Sequence, residues 1–199
     1  MPKTSKNNVV GNGGYTLVEM LVSLAIFSMA MTVAAQLFFY SLKAKNMLVA
    51  HSQLINEMTY NFEHISRGLR MAKKSTDATC LSASGLNFEK TATGIKFQNP
   101  GLAGGVECVE YYIGNPYPSG VNALMERRVA SAWNFDLPLT SPEINVVSFS
   151  VAESPVFSGW SQEDDLQPRV TLYMKAENDQ GEVIENQITV SQRDIDVRE

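Results

Sequence analysis

Three residues near the start of the chain, Gly14, Tyr15 and Glu19, have the types and spacing to do chemistry together. Glu19 is the only charge among the 26 residues from Tyr15 to Tyr40. An acid inside so apolar a stretch costs roughly 2.5–3.5 kcal/mol on insertion scales, so it implies a functional partner. Cutting the chain after Gly14 would supply one. Tyr15 would then carry a free, mostly protonated amino group of pKa about 8. Glu19, four residues along, lies on the same face of a helix as that amine. At about 4 Å and an effective dielectric near 20 the attraction is on the order of 4 kcal/mol, comparable with the insertion cost. The carboxylate also sits near the positive end of the helix dipole. Reaching the amine of a neighbouring chain instead would make the same pair an assembly device.

The other reactive side chains offer less. Cys80 and Cys108 are the only cysteines. Beyond a membrane they would most simply pair, closing a loop worth about 3 kcal/mol in the chain-entropy model; two unpaired buried thiols are the alternative. His51 and His64 stand 13 apart with no second histidine four residues on, so helix-flank roles outweigh metal binding. No GxSxG, HExxH or P-loop pattern occurs, which removes the footing for an enzyme, a cofactor or a metal. Glu163, Asp164 and Asp165, and likewise Asp194 and Asp196, read as solvated acids rather than a calcium loop. The net charge is −5. Without Lys3 and Lys6 it becomes −7, from 14 basic and 21 acidic residues. That balance argues against general nucleic-acid binding.

The stretch that positions Glu19 is long enough to matter. As a helix, Tyr15–Tyr40 would extend about 39 Å, against a hydrocarbon core of about 30 Å. Lys3 and Lys6 precede it, so the positive-inside bias keeps the N-terminus cytoplasmic and exports everything after Tyr40. Residues 1–14, polar and glycine-rich, read as a leader outside the fold. An ordinary secretory signal cut near Val33-Ala34-Ala35 is a rival, as is a plain anchor helix with an incidental acid.

GYTLVEMLVSLAIF, residues 14–27, resembles the cleavage signal of type IV pilins and type II secretion pseudopilins: basic leader, glycine, aromatic, Thr-Leu-Val-Glu, apolar run. The resemblance implies that prepilin peptidase cuts between Gly14 and Tyr15, that Tyr15 is N-methylated, and that Glu19 guides filament assembly. It further implies, as partners, other pilin or pseudopilin subunits, the inner-membrane assembly platform and membrane lipid. Location follows as the bacterial inner membrane and then a filament. The chain departs from the pattern at Tyr15, where phenylalanine is usual, and at Gln36, where major pilins often carry proline.

Beyond the span, Leu48, Ile55, Met58, Phe62, Ile65 and Leu69 mark one apolar stripe, which extends the helix to about Lys74. Gly68 is a mild weak point in it. Strands are expected at 95–98, 107–113, 123–129, 145–151, 169–175 and 184–191. Turn chemistry separates them at Asn99-Pro100-Gly101, Ala103-Gly104-Gly105, Asn115-Pro116 and Asn178–Gly181, the last a hairpin. Trp133, Phe135 and Trp160 are placed in loops, either filling local core or forming an exposed patch for a partner. The fold class is therefore α+β: a long N-terminal helix, transmembrane and then amphipathic, packed on a mainly antiparallel sheet. The divisions are a leader at 1–14, the transmembrane half of the helix at 15–40, its amphipathic half at 41–74 and a β-rich domain at 75–199. The strand region resembles minor pilins and J-type minor pseudopilins, which implies a subunit at or near a filament tip. The alternative is a membrane-tethered binding module or adhesin, in which Glu19 would be dispensable.

Overall fold

The structure, a computed structural model, describes residues 14–101, 105–130, 133–152 and 167–193. The chain divides into two units, Met1–Leu48 and Val49–Glu199, and helix α1 (Leu17–Arg70) contributes residues to both.

In the first unit, α1 is helical because nothing interrupts it: no proline or glycine occurs from Leu17 to Leu48. Its side chains there are exposed, and the stretch is long and apolar enough to cross a membrane by length and composition. Two of its hydroxyls are satisfied within the helix. Ser28 Oγ donates to the Ala25 carbonyl at 2.9 Å, and Thr32 Oγ1 donates to the Ser28 carbonyl at 2.8 Å.

The second unit builds one hydrophobic core from α1 and two antiparallel sheets. The first sheet is a meander in the order β1 (Phe88–Lys90), β2 (Gly94–Pro100), β3 (Val106–Gly114), β4 (Ala123–Ala130) and β5 (Trp133–Pro138). The second is β6 (Ile144–Val151), β7 (Arg169–Asn178) and β8 (Val183–Ser191). Leu54, Met58, Phe62, Ile65 and Leu69 present the buried stripe of the helix to both. Leu54 takes the place expected of Ile55, which is 43 % exposed, and Leu48 is exposed as well. Positions 54, 58, 62, 65 and 69 keep the i, i+3, i+4 spacing of a single face, which Ile55 leaves.

Three other expectations are corrected. The helix stops at Arg70 rather than near Lys74, because the Lys73 amide donates to the Gln98 carbonyl at 2.8 Å and joins the edge of β2. Trp133 and Phe135 lie on a strand, β5, not in a loop, and their rings stack with centroids 5.1 Å apart. One sheet becomes two for the same reason. β5 occupies the edge of β4 that β3 leaves open. β6 therefore starts a second sheet that packs against the first and is hydrogen-bonded to it at a corner, where the Val146 amide donates to the Asn122 carbonyl at 2.9 Å. Trp160, Ala103, Gly104, the acids Glu163, Asp164, Asp165, Asp194 and Asp196, and leader residues 1–13 lie outside the described residues.

Two glycines are needed where they stand. Gly181 closes the hairpin between β7 and β8 with φ +78°. A Cβ at Gly94 would fall 1.8 Å from the Tyr111 carbonyl oxygen, so β2 and β3 can approach there only with glycine. Gly94→Ala is accordingly expected to cost at least about 1–3 kcal/mol, the range for overpacked sites. Urea denaturation followed by tryptophan fluorescence measures it, and an unchanged midpoint would show that the ladder yields there without cost.

Candidate functional site

Gly14 and Tyr15 precede the first turn of α1, and Tyr15 is 79 % exposed. Thr16 caps the helix. Its hydroxyl accepts the Glu19 amide at 3.3 Å, and its carbonyl accepts the Met20 amide at 3.2 Å. Thr16 and Glu19 thus stand at the two positions of a capping box, a role the sequence reading missed although the Thr-x-x-Glu spacing signals it. Glu19 falls in the first turn, where the unsatisfied amides and the helix dipole favour a carboxylate. The carboxylate makes no hydrogen bond or ion pair with any described residue, and Leu17, Val18, Met20 and Leu21 around it are exposed and apolar. An acid so placed can do one thing: accept a cation or hydrogen-bond donor brought to it from outside the helix.

The remaining candidates fall in the second unit. Cys80 and Cys108 are bonded, with Cα atoms 5.4 Å apart. Together with Leu81 and Leu86 they form a small satellite core under the connection from α1 to β1. The bond spans 28 residues of sequence, so Cys108→Ser should lower stability by about 3 kcal/mol. The test compares urea midpoints with and without reductant. The wild type should drop to the variant's midpoint on reduction, and an unchanged midpoint would remove the bond from the account. His51 lies 3.7 Å from Glu182, and His64 lies 3.1 Å from Glu126, so both histidines act on helix flanks. Among the described residues no group of three His, Cys, Asp or Glu side chains could hold a metal.

The second unit also contains a buried polar cluster that sequence reasoning missed. Glu126, on β4, is 4 % exposed and has three neighbours as partners. Tyr111 Oη donates to its Oε1 at 3.1 Å, Arg128 Nε donates to the same oxygen at 2.8 Å, and His64 Nε2 stands 3.1 Å away. Arg128 also reaches Glu107 at 3.3 Å. Burial, and then the Glu126 charge, push the Tyr111 hydroxyl far above the ordinary tyrosine range, so it remains a neutral donor. Burial alone would lower the Arg128 guanidinium, yet its hydrogen bond to Glu126 leaves it raised. The cluster joins α1 to the first sheet. Its groups satisfy one another, and it reads as a structural clamp rather than a catalytic centre.

Residues 11–35 match the family model for the prokaryotic N-terminal methylation motif. The match covers Gly14, Tyr15, Thr16 and Glu19 and supports the type IV pilin and pseudopilin family. That family is structural rather than enzymatic, and its motif implies processing by prepilin peptidase and contact with other pilin-type subunits. With the apolar helix it points to membrane anchoring. No curated protein and no solved structure matches the chain.

Proposed function

We propose that this chain is a minor pilin-like or pseudopilin subunit that co-assembles through α1 into a filament, with its place at or near the tip. Prepilin peptidase cuts between Gly14 and Tyr15, and Tyr15 receives the methyl group. The chain sits in the bacterial inner membrane with its N-terminus cytoplasmic. The unit that begins at Val49 lies outside the cytoplasm, a side on which the Cys80–Cys108 bond is chemically at home. Leaving the bilayer for the filament, the subunit brings the Glu19 carboxylate to a protonated Tyr15 amine, its own or that of a neighbouring subunit.

The observation that carries this reading is Glu19 itself: a carboxylate on an apolar, exposed helix, in the first capped turn, inside the methylation motif, with no partner among the described residues. A tether alone has no use for that charge, whereas docking by charge pairing requires it. Filaments recovered from cells that express the chain with its peptidase and assembly platform test the proposal. The processed chain should co-purify with them at low stoichiometry. Recovery only as dispersed membrane protein would refute the filament role.

A further inference from the structure

Strand β8 is the edge of its sheet, and the open edge is the unusual part. β8 pairs with β7 through nine residues, from Arg169 opposite Ser191 to Glu177 opposite Val183, and no described residue pairs with its other side. It has neither a proline nor a bulge, two devices that commonly blunt such edges. At its middle the Gln187 amide donates to the side-chain Oδ1 of Asn186 at 2.8 Å. That amide therefore points away from β7, and a side chain stands in for the backbone acceptor of a missing strand.

Grooves flank the same two residues on both faces of the sheet. On the helix side a groove of about 500 Å³ runs between β8 and α1, with Glu63, Ser66, Arg67, Arg70 and Asn186 along it. Ser66 is 6 % exposed, and its hydroxyl has no hydrogen-bond partner among the described residues. On the outer face a depression of about 460 Å³ is bordered by Tyr173, Lys175, Glu185 and Gln187. An added strand needs this arrangement: backbone groups to pair with, and alternating recesses for side chains that point to alternate faces.

We propose that β8 is a docking edge for an extended segment of a partner protein that carries an acidic side chain toward α1 and an apolar one toward Tyr173. The charge of the inner groove selects the acid. Arg67 is paired with Glu63, which leaves Arg70 as the cation along the groove that has no ion pair among the described residues and can meet an incoming carboxylate. A second copy of β8 fits less well, because it would bring neutral amides to Arg70 and set the arginines of two copies against each other. This inference concerns the second unit alone and stands whether or not the chain enters a filament.

The test uses the full chain in detergent micelles with a fluorescent acetyl-TVEVEVT-amide peptide and its lysine counterpart, acetyl-TVKVKVT-amide. The acidic peptide should bind saturably and slow hydrogen exchange at the β8 amides, while the lysine peptide should not. Arg70→Ala should weaken binding roughly tenfold, the worth of one charge-assisted hydrogen bond. Gln187→Pro should abolish it. The Gln187 amide faces away from β7, so this proline removes no bond of the native ladder, and an unchanged melting curve checks that the variant is folded. Failure of the acidic peptide to bind, equal binding of both peptides, or full binding to a folded Gln187→Pro protein would overturn the proposal. So would concentration-dependent self-association lost in Gln187→Pro, which assigns the edge to a second copy.

Discussion

Glu19→Ala is expected to leave the chain inserted in the membrane and processed, yet absent from filaments. The substitution removes the one charge of the span, so insertion becomes easier. The proposed cleavage point, between Gly14 and Tyr15, is outside the helix, and the Thr16 cap on the Glu19 amide survives because the backbone donor remains. What disappears is the carboxylate for the Tyr15 amine. With an attraction on the order of 4 kcal/mol at about 4 Å, docking could weaken by up to nearly three orders of magnitude. Glu19→Asp should keep part of the effect, since the charge remains on a shorter arm, whereas Glu19→Gln should behave like alanine. Immunoblots of the sheared filament and membrane fractions measure the split. Wild-type amounts of the Glu19→Ala chain in the filament fraction would leave only the membrane tether.

Glu126→Ala should strongly destabilise the second unit, by about 3–5 kcal/mol. The loss is large because of what remains behind. Tyr111 is fully buried and would keep its hydroxyl without an acceptor, and Arg128 would lose the closer of its two carboxylates. Arg128 and His64 are partly exposed and can recover some hydration, which places the expected value toward the lower end. Glu126→Gln keeps the shape and one acceptor and should cost about half as much. Equilibrium unfolding in urea, read by tryptophan fluorescence, compares the two. Equal midpoints for Glu126→Ala and wild type would show that the cluster contributes no net stability. A double replacement of Glu126 and Arg128 by apolar residues should recover part of the loss, since no buried charge is then left alone.

Much of this architecture can be read from periodicity. The apolar run after Gly14, the stripe at Met58, Phe62, Ile65 and Leu69, and six strand segments each carry a local pattern that the fold preserves. Asn178–Gly181 is a hairpin because glycine supplies the positive φ that the turn demands. The features that escaped depend on partners distant in sequence. β1 has three residues, too few to show a period. β5 does alternate, with Trp133, Phe135 and Leu137 against Asn134 and Asp136, but its aromatics suit a loop patch equally well until β4 is known to lie beside it. That one strand also decides that β6 starts a second sheet. Ile55 and Leu54 are adjacent, and only the contact surface chooses which of them is buried.

The same distinction holds for the sites. Gly14, Tyr15 and Glu19 stand out in the sequence because the chemistry proposed for them is contained within one helical turn and its approach. Thr16 belongs to that pattern and was visible in the spacing, yet the capping role went unread. Glu126 gives no sequence signal, because its partners come from α1 and β3 as well as from Arg128 on its own strand. The open edge of β8 was equally hidden, since an edge is defined by which strand does not follow.

The N-terminal mass of the chain extracted from membranes of cells that possess prepilin peptidase tests the central claim most directly. The account predicts a protein beginning at Tyr15, heavier by one methyl group on its amine. A protein that still carries residues 1–14 would contradict it, because Glu19 would then have no amine to meet.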